Sequence, residues 1–148
     1  MHTIKQNIKV KLRMKKKIMI TGVAGLIGSH LAEKLLDSGY EIYGLDIVDL
    51  QKNQNLSDLR VREDFHYYQG DITSSSDLDK FFQKDASVIY HLASVVGVNR
   101  YMEDPLSLID IGVIGTRALI GLCHKHGVRM LFASTSEVYG RNPVIPWS

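Results

Sequence analysis

Internal cross-links are excluded at once. The 148 residues hold one cysteine, Cys123, with no second thiol to pair with inside the chain. It falls within a helical pattern and reads as a small apolar residue, buried or half-buried, with a reactive thiol as the other reading. No unbroken apolar run approaches the length of a membrane span, and no charged, apolar and small-residue succession marks a secretory signal. A cytoplasmic chain with no membrane partner is therefore expected. Six histidines are scattered without metal-ligand spacing, so no metal is expected. Internal repeats and low-complexity segments are also missing.

Acidic residues are missing from residues 1–17, which carry seven Lys or Arg, whereas the rest of the chain holds 11 basic and 16 acidic side chains, a net −5. A nucleic-acid-binding surface would spread its basic residues over a folded face, so no nucleic-acid partner is expected. The basic segment reads as a solvated extension, a weak anchor to an anionic surface, or translated sequence ahead of a start at Met14. The first is preferred, which divides the chain into an extension (1–14) and one folded domain (15–148). With 45% hydrophobic residues, that domain can build a real core.

The most informative stretch is Thr21-Gly22-Val23-Ala24-Gly25-Leu26-Ile27-Gly28. A short apolar run, Ile18 to Ile20, precedes it and an amphipathic segment from Leu26 follows, so it lies where a strand turns into a helix. In that setting the first glycine permits the tight turn, the second lets backbone approach a pyrophosphate, and the third lets helix pack on strand. The phosphates then meet the open N–H groups of the helix start, including those of Leu26 and Ile27. Asp46 lies 24 residues after Gly22 and ends the apolar run Ile42 to Leu45. A carboxylate there accepts both ribose hydroxyls of an adenosine and repels a 2′-phosphate, which favours NAD over NADP as cofactor.

The spacing predicts strands at 17–21, 41–45, 65–69, 87–92 and 129–133. Helices are predicted at 26–38, from a Ser76/Asp79 capping box onward, and from Asp104-Pro105 to Gly127. The last of these would carry Leu106, Ile109, Val113, Ala118 and Leu122 inward. Residues 49–63 read as a loop with a short helix at 56–61. Alternating strands and helices call for an α/β fold, a Rossmann-like doubly wound parallel sheet of order 3-2-1-4-5. Ligands collect beyond the carboxyl ends of such strands.

The glycine stretch resembles that of the extended short-chain dehydrogenase/reductase family, the NAD-dependent sugar epimerases and dehydratases. So do Asp46, Asp71-Ile72, His91-Leu92-Ala93-Ser94, Gly115-Thr116 and Ser134-Thr135-Ser136-Glu137-Val138-Tyr139-Gly140, in that order along the chain. The resemblance implies that Asp71 and the backbone of Ile72 meet the adenine, while Leu92, Ala93 and Ser94 line the nicotinamide side. Thr135 stands at the family's catalytic Ser/Thr position, which hydrogen-bonds the sugar 4-hydroxyl. Tyr139 is expected beneath the substrate, and His91 is expected to pack at its strand end rather than act as a base.

Within the family, the run Ser-Thr-Ser-Glu is similar to the UDP-glucuronate decarboxylases. The 4,6-dehydratases instead place an acid where Ser136 stands here, to help expel a hydroxyl. Arg100-Tyr101-Met102 resembles the decarboxylases' substrate loop, so Arg100, Tyr101 and Ser136 are substrate-side candidates. Glu137 is either a helper near a sugar carboxylate or an ordinary loop acid. A UDP-sugar is the implied substrate, with a 4-epimerase reaction and dTDP-, GDP- or UDP-hexose chemistry as alternatives. Two departures stand out. Gly112 replaces a family Asn and weakens the long helix, and none of the seven tyrosines has Lys four residues on, so the family's Tyr-x-x-x-Lys base is missing. The expectation is a cofactor-binding part cut short before that base, inactive alone and homodimeric in its full-length parent. A non-catalytic NAD-binding module and a gene remnant are the rival readings.

Overall fold

The computed structural model describes residues 15–95 and 102–140, with the side chains of Ser136 and Glu137 left outside the description. Five parallel strands form one sheet in the order β3-β2-β1-β4-β5, as the sequence predicts. They are β1 (Lys17–Thr21), β2 (Glu41–Asp46), β3 (Phe65–Gln69), β4 (Val88–His91) and β5 (Arg129–Phe132). The register runs Thr21 beside Leu45 and His91, and His91 beside Phe132, so the carboxyl ends of these four strands are level.

Helices cover both faces because the central strands are apolar on both. In β1, Ile18 and Ile20 join Ile42, Phe65, Leu56 and Leu59 beneath α1 (Leu26–Asp37), which contributes Ala32 and Leu36. Met19 points the other way, into a cluster with Leu45, Ile72, Leu78, Phe81, Ile89, Leu119 and Cys123. Alternate side chains of a strand face opposite sides, so two clusters from one sheet are the expected result. The α1 helix ends with Gly39 N–H donating to Leu36 O at 2.9 Å and Tyr40 N–H to Leu35 O at 3.1 Å, the paired bonds that close a helix C-terminus.

Three local expectations are corrected. The second helix, α2 (Ser75–Phe81), is capped by Ser74, whose Oγ accepts from Asp77 N–H at 3.3 Å. Asp77 in turn accepts the N–H of Asp71 at 3.1 Å, tying the turn after β3 to the helix start and drawing that start ahead of the Ser76/Asp79 box. Leu56 ends a 3-10 turn at Gln54–Leu56, and residues 57–61 are turns, so no α-helix spans 56–61. Side-chain bonds compete there with helical ones: Asn53 accepts from Asn55 N–H at 2.9 Å.

The long helix is the third correction. It starts at Asp104, which caps Ser107 N–H at 3.1 Å, and runs as α3 (Pro105–Ile109), a π-helical turn (Asp110–Gly115) and α4 (Thr116–His126). Gly112 lies in the middle of the wide turn. Gly115, Leu119 and Cys123 face the sheet, with Ile111, Ala118 and Leu122 partly buried beside them. Leu106, Ile109 and Val113 are exposed instead, at 71%, 54% and 61%. The helix is apolar on two sides, and periodicity alone does not say which side meets the sheet. Residues 105–126 are also long and apolar enough to cross a membrane by length and composition, and 17% of their most apolar 18-residue stretch is buried. Asp110, Thr116 and Arg117 interrupt the run, which hides its length from a search for unbroken apolar sequence. On the far side β5 exposes Leu131 and Phe132, at 48% and 52%.

Candidate functional site at the carboxyl ends of the strands

The glycine loop leaves β1 through a left-handed turn. Gly22 has φ +73°, and a Cβ there would lie 2.7 Å from Ala93 N and 2.8 Å from the carbonyl carbon of Leu92. Backbone therefore touches backbone between the loop after β1 and the loop after β4. Gly28 packs the first turn of α1 onto that loop so closely that a Cβ would lie 2.8 Å from Val23 Cα. Gly25 caps α1 without a side-chain hydrogen bond, and Leu26 and Ile27 are exposed at 70% and 71%. The helix start thus offers open N–H donors and a positive dipole end to solvent, the arrangement that receives phosphate.

Asp46 ends β2 beside this loop. Its Oδ2 accepts the N–H of Ala24 at 2.9 Å, and its Oδ1 faces Val48 N–H at 3.4 Å. Each oxygen keeps a further lone pair for a ligand hydroxyl. The N–H groups of Gly22 and Val23 both point to Leu45 O, at 2.8 and 3.4 Å, so the loop is bound along the whole end of β2.

Sequence reading missed the residues that brace this arrangement. Asn53 and Asn55 both donate their side-chain amides to Ala24 O, at 3.3 and 2.9 Å. Tyr67 donates its hydroxyl to Val48 O at 2.6 Å and lies 3.4 Å from Asp46 O. Burial, with the charges of Asp46 and Asp49 behind it, raises the Tyr67 pKa above the ordinary phenol range and keeps that donor protonated. The only hint in the sequence was a pair of asparagines just ahead of Leu56, an apolar residue in an otherwise polar stretch.

Asp71 sits at the turn after β3, with Oδ1 accepting Thr73 N–H at 2.8 Å. Ile72 is 4% exposed, and its side chain belongs to the core. Across the sheet, Leu92 N–H donates to Thr21 O at 3.1 Å. Leu92 packs toward one cluster and Ala93 toward the other, and Ser94 after them is exposed. His91 is 1% exposed, and burial lowers its pKa below 6.5. That fits a residue packed at the strand end and disfavours a solvent-facing base.

Ala133 N–H donates to His91 O at 3.2 Å, which carries the chain after β5 alongside the end of β4. Thr135 follows two residues later, exposed, and leads into a 3-10 turn at Ser136–Tyr139 that holds the backbone of Glu137. Tyr139 is 44% exposed. The side chains of Ser136 and Glu137, and Arg100 and Tyr101 entirely, lie outside the described residues. Among the described residues, no group of His, Cys, Asp and Glu could hold a metal ion.

The comparisons with known proteins fit this geometry. The chain is 36% identical over 134 residues to UDP-glucuronic acid decarboxylase 1 of Xenopus tropicalis, covering 90% of this chain and 30% of that protein. Among solved structures it is similar to a UDP-glucose 4-epimerase of Thermus thermophilus in complex with NAD. There the TM-score is 0.68 at 29% identity, over 80% of this chain and 37% of that one. The PbgP3 protein of Burkholderia pseudomallei gives a TM-score of 0.74 at 31% identity, over 86% and 41% of the two chains. The chain thus spans about 30% of the length of the curated relative it matches. The model of the NAD dependent epimerase/dehydratase family matches residues 18–148, and the chain belongs to that family.

Proposed function

We propose that this chain holds NAD across the carboxyl ends of its strands, as the cofactor-binding part of an enzyme that acts on a UDP-hexuronate. The observation that carries the reading is the contact of Asp46 Oδ2 with Ala24 N–H at 2.9 Å, which sets an adenosine-ribose acceptor beside an uncapped helix start. The residues fit the group. Gly22 and Gly28 leave room that a Cβ would fill. Leu26 and Ile27 N–H bind the pyrophosphate, Asp46 the ribose, Asp71 and the Ile72 backbone the adenine, and Leu92, Ala93 and Ser94 the nicotinamide side. When bound, NAD supplies reversible hydride acceptance.

The chain's own part is to orient the sugar and exclude water. The Thr135 hydroxyl hydrogen-bonds the sugar 4-hydroxyl, and Ser136, Glu137, Arg100 and Tyr101 contact the sugar side. Oxidation at C4 of a hexuronate yields a β-keto acid, which loses carbon dioxide without leaving-group protonation. The likeness to a UDP-glucuronic acid decarboxylase favours this outcome over epimerisation. No tyrosine of these 148 residues has Lys four residues on, so they do not themselves supply the family's base for the 4-hydroxyl, and no turnover by them alone is expected. The exposed Leu106, Ile109, Val113 and Ile120 support pairing with a second copy in a full-length parent.

Parallel titrations with NAD and NADP test the reading. Saturable binding of NAD with much weaker binding of NADP is expected. A folded chain that binds neither, or prefers NADP, overturns it.

A further inference from the structure

The floor of the cleft contains a buried polar line that no part of the proposed chemistry uses. Thr21 is fully buried and His91 is 1% exposed. Thr21 Oγ1 lies 2.6 Å from His91 Nδ1, and His91 Nε2 lies 2.9 Å from Thr116 Oγ1 on the first turn of α4. The N–H of Ala93 donates to Thr21 Oγ1 at 3.3 Å. One short chain of bonds therefore joins the last residue of β1, the last residue of β4, the turn after β4 and the start of α4.

The direction of these bonds follows from the atoms available. Thr21 has one hydroxyl proton, and Ala93 N–H can only donate to its oxygen, so among the described residues the acceptor left for that proton is His91 Nδ1. With Nδ1 accepting, neutral imidazole carries its proton on Nε2 and gives it to Thr116. The opposite tautomer would set two protons between Thr21 and His91, or leave a buried hydroxyl proton without an acceptor. Phe132 of β5 stacks against the ring, with centroids 5.5 Å apart.

What this line holds in place matters more than the line itself. Thr21 immediately precedes Gly22, where a Cβ would lie within 2.8 Å of the Leu92–Ala93 peptide. The loop that meets the pyrophosphate and the loop that meets the nicotinamide side are thereby fixed to each other. We propose that His91 is a positioning residue, whose Nδ1-acceptor, Nε2-donor form sets the separation of the two cofactor-binding walls through Thr21 and Thr116. The proposal rests on the dinucleotide reading of the cleft.

The test pairs Thr21→Val, which keeps shape and removes the hydroxyl, with Thr21→Ser, which restores it. NAD affinity is read by titration of the full chain, and the His91 tautomer by imidazole nitrogen resonances. Wild type should show unprotonated Nδ1 and protonated Nε2. Thr21→Val should lose about tenfold in NAD affinity, the worth of one hydrogen bond, and its His91 should become a tautomer mixture, while Thr21→Ser keeps both properties. Should Thr21→Val fail to fold, Thr116→Val probes the other end, with the same loss of affinity and a shift confined to Nε2. A proton on Nδ1 in wild type, or unchanged NAD affinity in a folded variant, overturns the proposal. If wild type binds no NAD, it is the dinucleotide reading that fails, and the nitrogen resonances still report on the hydrogen-bond line.

Discussion

Asn55 donates its side-chain amide to the carbonyl of Ala24 at 2.9 Å, joining a polar loop after β2 to the residue whose N–H is bound by Asp46. Because Ala24 O is held from one side and the N–H of the same residue from the other, the loop cannot rock about its glycines. Asn55→Ala should therefore lower stability by about 1 kcal/mol and weaken NAD binding, while Asn55→Gln recovers little because its amide reaches too far. Denaturant midpoints and parallel titrations check this, and an unchanged midpoint would mean that Asn53 alone suffices.

Gly28→Ala should be worse tolerated. Its Cβ would have to displace Val23 Cα from 2.8 Å, a backbone atom that cannot swing aside. A loss of about 1–3 kcal/mol is expected for such overpacking, with NAD binding lost along with the loop geometry. Thermal unfolding of the variant reads the first effect and titration the second.

His91 gives stability a pH dependence of definite sign. Burial lowers its folded pKa below 6.5, so the unfolded chain takes up the proton first. The stabilisation from neutral His91 is complete above that ordinary value and is lost as pH falls from it toward the lowered one. His91→Gln has no proton to bind and should remove this slope. Unfolding curves for both proteins from neutral to mildly acidic pH should converge toward the acid end, and parallel curves would show that His91 does not titrate on unfolding.

Cys123 should be silent in the native chain. It is 6% exposed, and burial raises its thiol pKa, so little thiolate forms at neutral pH. Labelling by a thiol reagent should follow the unfolding transition as denaturant is added. Rapid labelling without denaturant would mean that α4 lifts readily from the sheet.

Much of the fold was legible because its signals are local. Strand ends read from apolar runs agree with the structure to within a residue or two, and the Gly22–Gly28 spacing with Asp46 at the end of β2 found one wall of the cleft. Bonds between distant residues left no such pattern. Thr21 and His91 are 70 positions apart, and Asn55 and Ala24 are 31 apart, with nothing in either neighbourhood to announce the contact. The long helix misled for a different reason. Leu106, Ile109 and Val113 form as good an apolar stripe as the one the sheet chose, and the π-helical turn at Asp110–Gly115 shifts the phase on which a periodicity argument depends.

The most direct measurement is a calorimetric titration of the full chain with NAD, run beside Asp46→Ala. The account predicts saturable binding by the wild type that is lost, or weakened at least tenfold, in the variant, since Asp46 both accepts the ribose hydroxyls and holds Ala24. Equal binding by a folded Asp46→Ala chain would contradict the site assignment, and no binding by the folded wild type would contradict the dinucleotide reading itself.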